Sequence, residues 1–319
     1  MKKKAVKAVG MLVIAGILSW GCSDGLVSIN PAMPSPVFNV AEGDESSINK
    51  VDLSMWLPYI LVHTPGEALR AYQQVIPELV ASGALRGVRI GITKGEGRNF
   101  VNAWVSSAVP DTLWILDNYY LFDPNIERVI DQVFNWYPTI HYLQIGNETT
   151  TILPKNGPQI SIEMYMDVYK RINAYIQRRY PGVALLTQST FGSGSFGSVE
   201  LERMIKLGLK EISPKPIIAM NVYSISAANQ YSYVVSNSLR GYRIWITESG
   251  VNDPNMHISF VQQIYPVLKN ALRAERIYWY CLYCGESGDD SGYGLIKDIM
   301  APMIWKSPLY GLLTRRLGQ

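Results

Sequence analysis

The sequence predicts an α/β protein in which residues 51–319 form a single domain, a (β/α)8 or TIM barrel. Two observations predict this fold. Eight short apolar segments alternate with longer helix-like segments over about 270 residues. No G-x-G-x-x-G motif follows the first segment, which argues against the doubly wound dinucleotide-binding sheets that alternate in the same way.

The eight strands are predicted from runs of apolar, β-branched and aromatic residues. They are expected at 51–57, 87–92, 112–117, 139–148, 183–188, 216–223, 243–248 and 277–283. The fourth and the seventh are the strands that end on glutamate. After the fifth strand, the Gly- and Ser-rich run 191–197 predicts a mobile loop on the barrel rim. It does not resemble a phosphate-binding loop, because no G-K-[ST] follows it.

The helices are predicted from capping residues and from apolar residues at helical spacing. They are expected at 64–82, 99–107, 124–136, 160–179, 199–207, 227–239, 257–273 and 302–316. The first begins with Thr64-Pro65-Gly66-Glu67, which supplies an N-cap, a proline at the first helical position and an acidic first turn. Pro266 predicts a kink in the seventh helix.

Residues 1–21 predict an export signal. Four lysines precede an apolar run from Val9 to Leu18, which is shorter than a membrane-spanning helix needs. Leu18-Ser19-Trp20-Gly21-Cys22 resembles the lipobox of bacterial lipoproteins, although its leucine stands one position early. The resemblance implies a lipid anchor on Cys22 in the cell envelope, periplasmic or on the outer surface, and plain secretion is the alternative. Residues 22–50, rich in Ser, Pro, Asn and Gly, predict a tether or an extended N-terminal arm around the bottom of the barrel.

Charge and reactive side chains argue against several functions. The formal charge of +3 falls by four to −1 without the four lysines of residues 1–21, so no nucleic-acid partner is expected. The three histidines lack the spacing of a metal site, and no cofactor is predicted. Cys281 and Cys284 lie in the predicted eighth strand, where positions three apart face opposite sides. Both are therefore expected to be buried thiols without a disulfide.

Glu148 and Glu248 are the candidate catalytic residues. All strands of a parallel barrel end on the same rim, so the two carboxylates are expected to face each other across a cleft. Such a pair can divide acid, base and nucleophile roles between its members. A single glutamate at a strand end is usually a solvated end, and only the repetition of the pattern favours catalysis.

On these residues the chain resembles the clan A glycoside hydrolases, retaining glycosidases built on (β/α)8 barrels, over roughly residues 51–316. In that clan an Asn-Glu pair ends the fourth strand and supplies the acid/base, and a glutamate at the end of the seventh strand is the nucleophile. Asn147-Glu148 and Glu248 match these places. The resemblance implies that Glu148 protonates the leaving oxygen with a raised pKa, that Glu248 attacks the anomeric carbon, and that Asn147 binds the sugar 2-hydroxyl.

Three further positions carry the resemblance. Arg89 in the second strand implies a cation that holds the nucleophile, and Tyr223 at the end of the sixth strand implies a hydrogen-bond donor to it. Trp279 in the eighth strand implies the floor of the subsite for the cleaved sugar. Each has a structural alternative. Arg89 could be only a buried cation, Tyr223 only rim packing, and Trp279 only core packing. Families 5 and 39 are the most similar, but Asn221-Val222-Tyr223-Ser224 lacks the histidine that many members have nearby.

The remaining candidates lie on the predicted rim. Trp114 is predicted to contact the substrate. Other candidates, which line subsites or only cap the barrel, are Asp117, Asn118, Tyr119, Tyr120, Gln188, Glu286, Asp289 and Asp290. The sequence therefore predicts a retaining hydrolase that cleaves a β-linked poly- or oligosaccharide. The alternatives are a non-catalytic glycan-binding or structural envelope lipoprotein on the same barrel, and a transglycosylase that uses the same residues.

Overall fold

Eight strands alternate with eight helices in the computed structural model, which describes residues 52–54, 65–95, 97–151, 158–192 and 194–315. The strands are β1 Asp52–Ser54, β2 Val88–Ile92, β3 Thr112–Leu116, β4 Tyr142–Ile145, β5 Ala184–Leu186, β6 Ile218–Asn221, β7 Ile244–Ser249 and β8 Ala274–Tyr280. The helices are α1 Pro65–Ala81, α2 Phe100–Ala108, α3 Ile126–Trp136, α4 Ile162–Arg179, α5 Gly194–Lys206, α6 Ile225–Ser238, α7 His257–Leu272 and α8 Pro308–Thr314. Polar side chains cap α2, α4 and α6 at Asn99, Ser161 and Ser224.

The eight strands form one parallel ring. Hydrogen bonds join them in the orders β2-β3-β4-β5 and β6-β7-β8-β1. A bridge between Leu186 and Ile217 joins β5 to the start of β6, and β1 lies beside β2. This closure, with helices between consecutive strands, confirms the predicted (β/α)8 barrel.

The barrel interior changes from apolar to polar along the strands. A buried cluster fills its middle with Leu113, Leu186, Ile217, Ala219, Trp245 and Tyr278. Two residues further along three of these strands, the inward positions hold Gln188, Asn221 and Thr247, all fully buried. Because side chains alternate between the two faces of a strand, residues two apart share a face. The interior therefore becomes polar toward the carboxyl ends of the strands.

Helix α5 begins at Gly194, five residues before its predicted start, so the predicted loop 191–197 is partly helical. Gly197 explains the difference. A Cβ at this position would overlap the hydroxyl of Tyr231 on α6. Glycine permits this close approach of α5 to α6, and its low helix propensity concealed the helix in the sequence.

The last segment also differs from its prediction. The final helix begins at Pro308, where the Ser307 side chain accepts a hydrogen bond from the Tyr310 N–H. An antiparallel pair of strands precedes it, formed by β9 Ile296–Lys297 and β10 Trp305–Lys306.

The seventh helix runs through Pro266 as one helix, His257–Leu272.

Cys281 and Cys284 form a disulfide with their Cα atoms 6.1 Å apart, which corrects the prediction of two free thiols. Strand β8 ends at Tyr280, so the two cysteines lie beyond it, and the extended spacing assumed for them does not apply.

Cys22 and the predicted signal and tether, residues 1–50, fall outside the described residues. Among the described helices, none is long and apolar enough to cross a membrane.

Candidate active site

Five of the predicted site residues come together at the carboxyl end of the barrel. They are Arg89 on β2, Asn147 and Glu148 directly after β4, Tyr223 after β6, and Glu248 in β7. Both glutamates are buried, with 8% of Glu148 and 5% of Glu248 exposed. Buried carboxylates need hydrogen-bond donors to remain charged.

Glu248 is held by two donors. The Arg89 guanidinium, itself fully buried, donates from Nη1 to Oε1 at 2.6 Å, and the Tyr223 hydroxyl donates to Oε2 at 2.6 Å. Burial, and then the charges of Glu248 and Glu148, raise the pKa of Tyr223 well above its usual value. The phenol therefore keeps its proton at neutral pH and remains a donor to the Glu248 carboxylate.

The Arg89 guanidinium also orients two amides. Its Nε donates to Gln144 Oε1 at 3.1 Å, and its Nη2 donates to Asn147 Oδ1 at 2.8 Å. A guanidinium has no acceptor, so both amides must turn their oxygens toward it. The Asn147 Nδ2 group is thereby left as the atom that can donate to a ligand hydroxyl.

The turn after β4 places Glu148 in a strained conformation. Gly146 has φ +75° and Glu148 has φ +44°, a region that residues other than glycine rarely adopt. The Asn118 side chain holds the turn through both backbone polar groups of Asn147. It donates to the Asn147 carbonyl at 2.7 Å and accepts from the Asn147 N–H at 2.8 Å. Asn221 donates to Glu148 Oε1 at 2.8 Å. Strain of this kind clusters at functional sites.

Trp114 and Trp279 do not reach the cleft, which corrects their prediction as substrate contacts. Both side chains are fully buried. Trp114 packs on Tyr137 beyond the end of α3, and Trp279 packs on His257 of α7. The alternation along β8 explains this, since the inward residues are Tyr278 and Tyr280 while Trp279 between them faces the helices.

Comparisons with known proteins show the fold of this chain. No protein-family model and no curated protein matches the sequence. A β-xylosidase from Caulobacter crescentus CB15 is similar in structure, with a TM-score of 0.56 and 10% identity over 86% of this chain and 69% of that chain. A GH30 xylanase C catalytic domain from Talaromyces cellulolyticus has a TM-score of 0.57 and 11% identity over 83% of this chain and 75% of that chain.

A third similar structure is a GH128 exo-β-1,3-glucanase from Aureobasidium namibiae, with a TM-score of 0.54 and 12% identity over 79% of this chain and 95% of that chain. At such identities the likeness extends to the fold alone. This chain shares the (β/α)8 barrel fold of these structures. Its activity has to be inferred from its own site.

The sequence interpretation missed several residues of the site. Asn221 contacts Glu148, and Gln144 contacts Arg89. Both are polar residues inside otherwise apolar strands, and Asn221 lies two positions before Tyr223, a spacing that places both on one strand face. Tyr280 packs against Tyr223 with ring centroids 6.4 Å apart. It was missed because the substrate contact in the eighth strand was assigned to its neighbour, Trp279.

The weaker rim candidates have mainly structural contacts. Gln188 accepts from the Thr149 N–H at 2.8 Å, Asp117 caps the short turn Asn118–Phe122, and Glu286 accepts from two backbone N–H groups, those of Asp298 and Ile299. Tyr119 is exposed. Within the described part of the chain, no group of three or more His, Cys, Asp or Glu side chains is placed to hold a metal ion.

Glu200 on α5 makes stability depend on pH. Burial raises its pKa from 4.5 to about 7, although the Phe191 N–H donates to it at 3.1 Å. Between these two values the folded chain binds a proton that the unfolded chain releases. We therefore expect the free energy of unfolding to fall by about 2–3 kcal/mol from pH 4.5 to pH 7 and then to level off.

Urea unfolding of the wild type and of Glu200→Gln at pH 5 and pH 8 measures this contribution. Glu200→Gln should remove it, whereas Glu202→Gln on the same helix should leave the difference between the two pH values in place. Equal pH dependence of the wild type and Glu200→Gln would contradict the assignment.

Proposed function

We propose that this protein is a retaining glycoside hydrolase that cleaves a β-linked poly- or oligosaccharide by double displacement. The observation that carries the proposal is the pair of buried carboxylates at one barrel end, with Glu248 fixed between Arg89 and Tyr223. Retaining glycosidases need one carboxylate as nucleophile and a second carboxyl group as acid/base about 5–5.5 Å away. Glu248 has the environment of the first, and Glu148 is the candidate for the second.

In the first displacement, a Glu248 carboxylate oxygen attacks the anomeric carbon while the bond from that carbon to the glycosidic oxygen breaks. Glu148 gives its proton to the departing oxygen, which leaves as an alcohol. The product is a glycosyl ester of Glu248 and an ionised Glu148.

In the second displacement, Glu148 removes a proton from water as the water oxygen attacks the same carbon. The ester bond breaks, and Glu248 leaves as a carboxylate. Two inversions give a sugar with the original anomeric configuration. Arg89 and Tyr223 stabilise the Glu248 carboxylate before attack and after release. Asn147 Nδ2 is the proposed donor to the sugar 2-hydroxyl.

The substrate class is proposed on two grounds. The similar structures described above are named as a β-xylosidase, a xylanase and an exo-β-1,3-glucanase. Tyr280, Tyr223 and Tyr293 form an edge-to-face cluster next to Glu248, with Tyr280 and Tyr293 centroids 5.5 Å apart. Tyrosine rings offer an apolar face and a polar tip to a sugar. We assign the subsite floor predicted for Trp279 to Tyr280.

The test is a panel of 2-fluoro β-glycosides, incubated with the chain lacking residues 1–22 and followed by intact mass. The fluorine slows the second displacement, so a retaining enzyme accumulates the glycosyl ester. We expect an adduct in the wild type and none in Glu248→Ala, with the reactive sugar naming the substrate class. No adduct from any sugar, with sugar binding equal in both proteins, would favour the glycan-binding alternative. Oligosaccharide products longer than the substrate would favour transglycosylation.

We further propose that the protein is exported and anchored by a lipid on Cys22. The support is the lipobox-like sequence, together with the Cys281–Cys284 disulfide, since disulfides persist in oxidising compartments. Palmitate labelling of cells that express the full chain tests the anchor. Label that is lost in Cys22→Ala would support it, and an unlabelled wild type found in the medium would favour secretion.

A further inference from the structure

A continuous chain of hydrogen bonds joins Arg89 to Glu148 across the wall of the site. It passes through four fully buried polar side chains, which are Gln144, Ser189, Thr247 and Asn221. These residues come from β4, the segment after β5, β7 and β6, so the chain spans four neighbouring strands of the barrel.

The first half of the chain has a fixed direction. Arg89 can only donate, so Gln144 accepts through Oε1 and donates from Nε2 to Ser189 Oγ at 2.9 Å. Ser189 Oγ lies 2.5 Å from Thr247 Oγ1, a contact in which either hydroxyl could be the donor. The oxygens on the other side of Thr247, those of the Met220 carbonyl and the Asn221 amide, only accept, so the Thr247 proton goes to one of them and Ser189 is the donor to Thr247.

The second half fixes the Asn221 amide. Thr247 Oγ1 lies 3.0 Å from Asn221 Oδ1 and 3.2 Å from the Met220 carbonyl oxygen. The Asn221 oxygen therefore faces a donor, and its Nδ2 faces Glu148 Oε1 at 2.8 Å. Asn147 gives a second argument, because its Oδ1, already oriented by Arg89, lies 3.4 Å from the same Nδ2. A flipped Asn221 would place its oxygen against two acceptor oxygens.

We propose that Asn221 is a positioning residue for Glu148, because the hydrogen-bond chain keeps the Asn221 amide N–H directed at that carboxyl group. The proposal rests on the glycosidase function, in which Glu148 alternates between acid and base. An amide does not titrate in the working pH range, so it offers the same donor in both displacements. With Oε1 occupied as an acceptor, the transferable proton belongs on Oε2. The same N–H stabilises the carboxylate that serves as base in the second displacement.

Other titratable groups also act on Glu148. The groups that share its network or interact with its charge are Arg89, Glu248, Tyr223, Tyr231 and Tyr280. Burial raises the pKa of all three tyrosines above the usual value, so they stay neutral in the acidic and neutral range. Glu200 interacts with Tyr231 and titrates near pH 7 because of burial. The titration described next therefore uses a Glu200→Gln background, which removes the titration of Glu200 from the measurement.

The test is a titration of 13C-carboxyl-labelled glutamate followed by NMR in that background, with Glu148→Gln to assign the resonance. Asn221→Leu removes the N–H at similar volume, and we expect the Glu148 midpoint to rise by about one pH unit. Thr247→Val, which breaks the chain upstream, should raise the midpoint by a smaller amount. The double variant should not exceed Asn221→Leu alone, because both changes act on one contact.

Thr187→Val is the matched control. Thr187 is also a fully buried threonine, but its hydroxyl accepts from the Ala219 N–H at 3.0 Å outside the chain. It should leave the midpoint unchanged. Ser189→Ala breaks the chain at a second place, in case Thr247→Val does not fold by near-UV circular dichroism.

The outcomes separate this proposal from the proposed function. An unchanged midpoint in Asn221→Leu overturns the positioning role. A raised midpoint in Asn221→Leu with unchanged midpoints in Thr247→Val and Ser189→Ala overturns the chain. The titration needs no turnover, so a raised midpoint without any 2-fluoro adduct would keep the Asn221 role and reject the hydrolase. A 2-fluoro adduct without a shift of the Glu148 midpoint would keep the hydrolase function and reject the Asn221 role.

Discussion

Replacing Glu248 by alanine is expected to lower kcat/KM on a β-linked substrate by about 10⁵-fold, because the first displacement loses its nucleophile. The methyl side chain leaves room beside Arg89 for a small anion. Sodium azide should therefore restore turnover and give an α-glycosyl azide, formed by one inversion in place of two. The anomeric configuration of that product, read by NMR, is the measurement.

Glu148→Ala should respond to azide differently. Here the ester with Glu248 still forms from substrates whose leaving group needs no proton, such as dinitrophenyl glycosides. Azide then attacks the ester and gives a β-glycosyl azide. Exchanged products, with the β-azide from Glu248→Ala, would reverse the assigned roles. Glu275→Ala is the control, since Glu275 forms a half-exposed ion pair with Arg243 at the start of β8, and its loss should leave kcat/KM near the wild-type value.

Arg89→Met is expected to lower the free energy of unfolding by about 3–5 kcal/mol, because it leaves the buried Glu248 charge without its cation. The oxygens of Gln144 and Asn147 lose their donor in the same variant. Urea unfolding at pH 7 measures the loss. The double variant Arg89→Met with Glu248→Gln should recover part of it, since the unpaired charge is then absent.

Arg203→Met is the comparison variant, because it measures how much an exposed ion pair contributes to the free energy of unfolding. Arg203 and Glu163 lie 2.7 Å apart with about half of each side chain exposed, so loss of this pair should leave the free energy of unfolding close to the wild-type value. A similar small cost for Arg89→Met would mean that water reaches the pair. Arg89 would then have little part in holding Glu248.

Local patterns in the sequence predict much of the site. The two glutamates and Asn147 follow or end apolar strands, and parallel strands bring such ends to one rim. Arg89 was identifiable as a cation inside a strand whose other residues are apolar or glycine. The alternation of strands and helices determines the barrel, because each strand and each helix is recognisable over a few residues. The roles given to these residues came from the resemblance to clan A and stay predictions.

Contacts between distant segments decided the rest. Trp279 and Tyr280 are neighbours, and only the register of β8 against β7 and β1 determines which ring faces the cleft. The first turn of helix α5 was missed because it contains Gly197, a poor helix former that the close approach of α6 requires. The hydrogen bond to Glu148 depends on contacts between distant residues. Gln144 donates to Ser189 across 45 positions of the sequence, and Ser189 contacts Thr247 across 58. A sequence states which residues are polar, but the direction of a hydrogen bond follows only from the atoms that the fold brings together.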